Sequence, residues 1–381
     1  MSAAFDRPTQ IMLAGCFFAG GTGVGVWGAN LPALGRRTGM DEAQIGLVLL
    51  CFAGAAIMAM NLVPRLIARL GTARVSCLAL GLFGLCIMGV AGVGTMLQAA
   101  LAAGMAGVSF GALDVAMNSH AAHYEARAGR PVLAFFHAMF SAGTLAAAGT
   151  YALRAHAGGA GGVSLALAGA LILGIALGAM ALAGPAVPAG AVPQAAPSGT
   201  TRKAGVLALG AMAFAIFFAE GAIMDWAALY LVRILGASDS TGAMGYAVFA
   251  GAMLAGRLVG NGANRWLGAP RLFLLGTASV TLALAGLILA PSVPLALIAL
   301  GLCGLGMANV IPILFSAAGR LGVTDGGKSM SRVLTMGYAG LLVGPAIMGF
   351  VAQAASLRFS LALVTLAVAA TCIATGVIRR S

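Results

Sequence analysis

The sequence predicts an all-α membrane protein: twelve transmembrane helices in two six-helix pseudo-symmetric bundles. Three observations carry that expectation. The 381 residues are 61% hydrophobic and 8% charged, where a soluble chain carries roughly a quarter charged residues. Apolar runs near 20 residues long recur from end to end, the length a helix needs to cross about 30 Å of hydrocarbon. The 21 basic residues punctuate the boundaries of those runs, as membrane topology demands. That scatter also argues that the net charge of +12 does not serve a nucleic acid partner. A closed barrel would need short alternating strands, a pattern this sequence does not show.

Turn residues and charges then set the spans in order. The first, 10–34, exceeds a signal-peptide core and is followed by eleven more, so it is read as a span. Span 2 (43–64) ends at Pro64, and span 3 (74–94) begins after the "LGTARV" turn of 70–75. Spans 4 (97–123) and 5 (131–154) are joined by a short polar turn holding Arg127 and Arg130. Span 6 (162–184) closes the first bundle, 1–184. The stretch 185–204, "PAVPAGAVPQAAPSGTTRKA", is rich in Pro, Ala, Ser and Gly and reads as a flexible cytoplasmic linker. The second bundle, 205–381, holds spans 204–235, 242–264, 271–290, 294–318, 329–354 and 358–378.

With the N-terminus inside, 15 Lys and Arg residues fall in cytoplasmic segments and 5 outside, with Arg257 inside a span. The excess orients a multi-pass protein of the bacterial inner membrane with both termini in the cytoplasm. All six cysteines lie in apolar runs without metal-ligand spacing, and read as small buried hydrophobes.

The halves resemble each other at a shift near 197 residues. "LGTARV" (70–75) matches "LGAPRL" (267–272), and "SAGT" (141–144) matches "YAGL" (338–341). Trp27 pairs with Trp226, and "FGALDV" aligned on "LGMANV" sets Asp114 against Asn309. The nearly constant offset indicates duplication.

These spans, the repeat and the short basic loops resemble the major facilitator superfamily over the whole chain. The family's loop after span 2, Gly-x-Leu-x-Asp-Arg-x-Gly-Arg-Arg, stands here as "PRLIARLGTAR" (64–74). Leu66, Arg69 and Gly71 match; Pro64 replaces the first Gly and Ala68 the Asp. "GALDVAMN" (111–118), "FHAMFSAGT" (136–144) and "EGAIMDWAALYL" (220–231) are similar to the YbjJ-type permeases near the fucose-permease group. The resemblance implies a transporter working by alternating access.

Ionisable residues at mid-membrane are costly and face a bundle interior or water. Three acids meet that description: Asp114, Glu220 and Asp225. They are the candidates for proton coupling. Asp114 and Asn118 share a face of span 4, while His137, Ser141 and Thr144 form a stripe on span 5. Equal distance from the connecting turn puts Asn118 level with His137 and Asp114 level with Ser141. Two readings stay open for this group: a substrate or proton site, or a network that locks spans 4 and 5 together. His120 and His123 read as interfacial, and Glu125 as solvated or paired with Arg127 or Arg130.

Glu220 stands before Gly221, where the helix is expected to bend. Asp225 and Trp226 follow toward the outer side. Trp27 and Asn30 share a face of span 1 and suit a small polar ligand with an apolar face. Asn309, with Pro312 as an expected bend, and Tyr338 complete the substrate-binding candidates. Arg257 is read as a structural, snorkelling residue.

The sequence has no nucleotide motif or metal constellation, so neither a cofactor nor a metal is expected and an ion gradient supplies the energy. Ser141 and His137 lack a third catalytic partner, which argues against an enzyme. Drug exporters of the superfamily carry Gly-x3-Gly-Pro in span 5; "SAGTLAAAG" has no proline. The expectation is therefore a monomeric secondary transporter in the lipid bilayer, taking up a small polar solute with protons. The alternative is proton-driven efflux of a drug or metabolite.

Overall fold

The structure, a computed structural model, describes residues 7–128, 132–159, 161–183, 203–322 and 328–376. Among the described residues every regular element is a helix. The linker of 185–204 lies outside them apart from its last two residues, as do Arg130, Arg202, Arg379 and Arg380.

The helices follow the predicted spans closely. They are α1 (Arg7–Thr38), α2 (Glu42–Leu70), α3 (Thr72–Val90), α4 (Met96–Ala128), α5 (Leu133–His156) and α6 (Gly161–Leu182). The second half holds α7 (Lys203–Leu235), α8 (Asp239–Leu267), α9 (Ala269–Leu289), α10 (Val293–Met307), α11 (Val310–Gly322), α12 (Lys328–Ala354) and α13 (Leu357–Ile373). Ten spans are long and apolar enough to cross a membrane, with α10 and α11 counted as one. α5 and the shorter apolar α13 complete the twelve.

Local chemistry explains the ends. Positive φ at Gly39, Gly71, Gly236 and Gly268 turns the chain where a side chain would be strained. Asp41 caps α2 through a box in which Gln44 N donates to Asp41 Oδ1 and Asp41 N to Gln44 Oε1. Thr241 N likewise donates to Ser238 Oγ at the start of α8. Span 10 breaks at Ala308–Asn309. Pro312 has no N–H for the Ala308 carbonyl, so the expected bend falls one turn before it as a break. α7, by contrast, runs unbroken through Gly221.

The chain forms two compact units. One is Met1–Gly190 with Ser238–Ala247; the other is Ala191–Ala237 with Val248–Ser381. In the first, α1 packs along α5, α2 along α4, and α3 along α4 and α6. An added Cβ at Gly143 would strike the Phe18 carbonyl, and one at Gly21 the Phe140 carbonyl. α1 and α5 therefore meet backbone to backbone. The first turns of α8 belong to this unit, where Ser240 Oγ donates to Ala152 O at 2.8 Å and Arg36 pairs with Asp239.

The second unit repeats the pattern with α7 along α12 and α9 along α10 and α13. A Cβ at Gly340 would strike the Phe214 carbonyl, as Gly143 would meet Phe18. Gly107 against the Phe52 carbonyl has its copy in Gly304 against Phe249. The turning glycines Gly39 and Gly71 recur as Gly236 and Gly268, 197 residues on. The duplication read from sequence thus survives as equivalent close approaches.

Two residue pairings from the alignment do not. Gly25 packs on the Thr144 carbonyl as Gly221 does on that of Leu341, which sets α7 at a shift of 196 from α1. Trp27 then falls opposite Ile223, not Trp226. By the Gly107–Gly304 equivalence, Asp114 falls opposite Ile311, not Asn309. The apolar letters around these residues resemble each other at several registers; only packing separates them.

Candidate functional site

The strongest polar arrangement inside a span lies in the second unit. Glu220 on α7 and Arg257 on α8 form an ion pair, with Arg257 Nη2 3.9 Å from Glu220 Oε1. Their side chains are 14% and 25% exposed respectively, so both are largely withdrawn from solvent. The expectation for Arg257 is corrected here: it does not merely snorkel but faces an acid. Two opposite charges share the cost of residence in the span.

Aromatic side chains gather around Phe217, one turn along α7 before Glu220. Phe217 stacks on Tyr338 of α12 with centroids 5.5 Å apart and planes at 22°. Phe217 also leans on Phe315 of α11, at 6.0 Å and 48°. Close passage of α7 and α12 brings these rings together. Gly221 serves that passage, because a Cβ there would lie 2.7 Å from the Leu341 carbonyl. At Gly221, where a bend is expected from sequence, α7 continues as helix and makes a close helix contact.

Asn309 sits in the break of span 10. Its Nδ2 donates to Gly256 O at 2.9 Å, the carbonyl just before Arg257, and its side chain fills the place opposite Gly260. It fixes the stretch of α8 that carries Arg257. Asp225 is half-buried on α7. Trp226 is fully buried, and its Nε1 donates to Pro345 O at 3.0 Å, so the indole pins α7 to α12.

In the first unit, Asp114 and Asn118 form a pair within α4. Asn118 Nδ2 donates to Asp114 O at 2.9 Å and to Asp114 Oδ1 at 3.0 Å, and both residues are half-buried. His137 on α5 is exposed and meets Phe17 edge-on at 5.4 Å. Ser141 is buried and returns its hydroxyl to His137 O at 3.3 Å. Thr144 Oγ1 donates to Gly21 O at 3.2 Å and bridges α5 to α1. α4 packs mainly on α2 and α3 while α5 packs on α1, so the two stripes belong to different packing pairs.

Trp27 is buried in an aromatic row, stacked on Phe52 at 6.2 Å, with Phe110 and Phe83 beyond. Asn30 is buried and accepts from Tyr151 Oη at 3.3 Å. These two share a helix face as expected, yet each is engaged by a neighbouring helix. His120 is buried and contacts Thr72 Oγ1 at 3.2 Å, which ties α4 to α3 and corrects its reading as interfacial. Glu125 is not simply solvated, and the Arg130 offered as its partner lies outside the described residues. Glu125 Oε2 accepts from Val132 N and Leu133 N at 2.7 and 2.8 Å and caps α5. Sequence reading missed Phe217 and Phe315 because aromatic residues in an apolar run carry no polar signal.

The family model described as Major Facilitator Superfamily matches residues 12–322. The chain belongs to that superfamily. An uncharacterised MFS-type transporter of Yersinia pestis is 33% identical over 367 residues, covering 94% of this chain and 92% of its own. The membrane protein MosC of Rhizobium meliloti is 28% identical over 344 residues, covering 90% and 83%. Among solved structures, the nucleoside transporter NupG superposes with a TM-score of 0.76 at 14% identity, over 97% of this chain and 99% of that one. A bacterial homologue of the human lysosomal transporter Spinster, inward-facing and unoccupied, gives 0.73 at 14% identity over 100% and 99%. At that identity the two structures show the fold.

As a member of the superfamily the protein is a multi-pass membrane transporter for a small-molecule substrate, and not an enzyme. The superfamily loop after span 2 is recognisable in its geometry: Gly71, with φ of 81°, makes the turn from α2 into α3. Gly268 repeats it between α8 and α9.

Proposed function

We propose that this superfamily member carries a small polar solute into the cell together with protons, by alternating access. The observation that carries the reading is the Glu220–Arg257 pair within two apolar helices, with Phe217 one turn before Glu220 stacked on Tyr338. Glu220 is the coupling carboxylate. A buried carboxyl group with a competing cation exchanges its proton according to what occupies the cation. Phe217 and Tyr338 form a wall for the apolar face of the solute, and Asn309 holds the backbone that presents Arg257. Asp114, with Asn118 and His137, is a second polar station on the proton or solute path, and Asp225 a third. The protein works as a monomer in a bacterial inner membrane with both termini in the cytoplasm, as a relative of the YbjJ-type permeases.

A thermal-shift screen of the purified protein against sugars, sugar acids, amino acids and common antibiotics finds the solute. Uptake is then measured in proteoliposomes with an acid exterior. Glu220→Gln and Asp114→Asn each abolish accumulation above equilibrium while retaining the folded, ligand-stabilised state. Normal accumulation by both variants sinks the assignment. Accumulation only under the opposite gradient favours efflux.

A further inference from the structure

Resting on the proton-coupled reading above, we infer that the transported solute carries an acidic group, and that Arg257 receives that group when Glu220 takes up a proton. The separation of 3.9 Å between Arg257 Nη2 and Glu220 Oε1 is an ion-pair distance. It exceeds the roughly 2.7–2.9 Å of a charge-assisted hydrogen bond. The two charges attract without being locked in a bidentate fork, and both keep some exposure, at 25% and 14% of their side chains. A guanidinium gives up its proton far less readily than a carboxylate takes one up, so the exchangeable member of the pair is the carboxylate. One turn before Glu220 on α7, Phe217 stacks on Tyr338 of α12. A cation with a replaceable counter-ion matches a carboxylate at one end of the solute, and a flat aromatic face on the same helix as Glu220 suits an apolar or planar body.

The exchange balances. Glu220 gains a proton, an O–H bond forms, and its ion pair with Arg257 ends. The solute's carboxylate takes the vacated place on the guanidinium. On the inner side the proton leaves Glu220, and the regenerated carboxylate displaces the solute. One proton and one monoanion cross together, so no net charge moves. The other described titratable side chains of α7, α8 and the elements packed against α7 are Tyr338 and Arg332 of α12, Cys303 of α10, Arg358 and Cys372 of α13, Asp239, Tyr246 and Arg265 of α8, and Asp225, Tyr230 and Arg233 of α7 itself. Among the described residues, Glu220 forms its ion pair with Arg257.

The test uses the purified full chain and matched probes: phenyl glucuronide against phenyl glucoside, galacturonate against galactose, and benzoate against benzyl alcohol. In thermal-shift titrations at least one acid is expected to bind roughly tenfold or more tightly than its neutral partner, as a charge-assisted contact dictates. Arg257→Gln abolishes that preference. Because Arg257→Gln leaves Glu220 buried alone, the double variant Glu220→Gln, Arg257→Gln provides a second, charge-neutral background, and it too shows no acid preference. In proteoliposomes the bound acid is accumulated by an acid exterior and is indifferent to a valinomycin-imposed potential. Failure of every acid to bind, retained preference in the double variant, or uptake driven by potential overturns the inference. Pumping of a neutral member by the pH gradient overturns it too, yet leaves the proton-coupled reading standing. If a solute bound by the wild type crosses without response to the pH gradient, the proton-coupled reading itself falls.

Discussion

Arg257 shows how a residue's role depends on a partner far along the chain. In sequence it is one charge inside an apolar span, and nothing local says what it meets. The fold sets Glu220 against it from 37 positions earlier. Removing one member of a buried pair leaves a charge without compensation, at a cost of about 3–5 kcal/mol. Arg257→Gln is therefore expected to lower thermal stability in detergent substantially, while Glu220→Gln with Arg257→Gln recovers most of it. A melt of the four forms of that cycle checks this. At this scale the sequence was legible where a charge interrupts an apolar run, as at Asp114, Glu220 and Asp225. It was not legible which partner an aromatic ring in an apolar helix would meet. Trp226 donates to the Pro345 carbonyl and Trp27 stacks on Phe52, whereas Phe217 stacks on Tyr338.

Helix pairs are governed by glycines at close approach. Gly143 and Gly149 lie on the same helix, but an added Cβ meets the Phe18 carbonyl at the first and nothing within 4 Å at the second. Gly143→Ala forces α5 away from α1 and costs about 1–3 kcal/mol or more. Gly149→Ala is neutral or stabilises by up to about 1 kcal/mol through helix propensity. Thermal melts of the two variants separate packing from propensity. Glu125→Ala removes the carboxylate that accepts from Val132 and Leu133 N–H groups, and weakens the start of α5 by about 1 kcal/mol. Hydrogen exchange at the first turn of α5 is the readout. Span boundaries were legible because Gly, Pro and charge end apolar runs for plain steric and solvation reasons. The break at Ala308–Asn309 was legible through Pro312, but its placement one turn earlier follows from which carbonyl loses its donor. The smooth passage of α7 through Gly221 was not legible, since a small residue serves a bend and a close contact equally well.

For the whole molecule, duplication was readable from repetition, because it is a property of long stretches. The register of the repeat was not, since a one- or two-residue slip changes few letters in an apolar sequence but moves every contact. Topology is checked by accessibility. In a background lacking the six native cysteines, Ser292→Cys is expected to react with an impermeant thiol reagent in intact cells. Ala73→Cys is expected to react only after permeabilisation. The reverse pattern inverts the assigned orientation. What moves through the protein is a question for side chains, and lineage alone leaves it open.

Seams made of glycine set against carbonyl oxygen leave no room for trial and error. Between α1 and α5, or α7 and α12, a new side chain has nowhere to go. On the proposed site, divergence toward another cargo is thus channelled onto the rings of Phe217, Phe315 and Tyr338. A mutational library for altered selectivity would spend its diversity there and leave the glycine rows untouched.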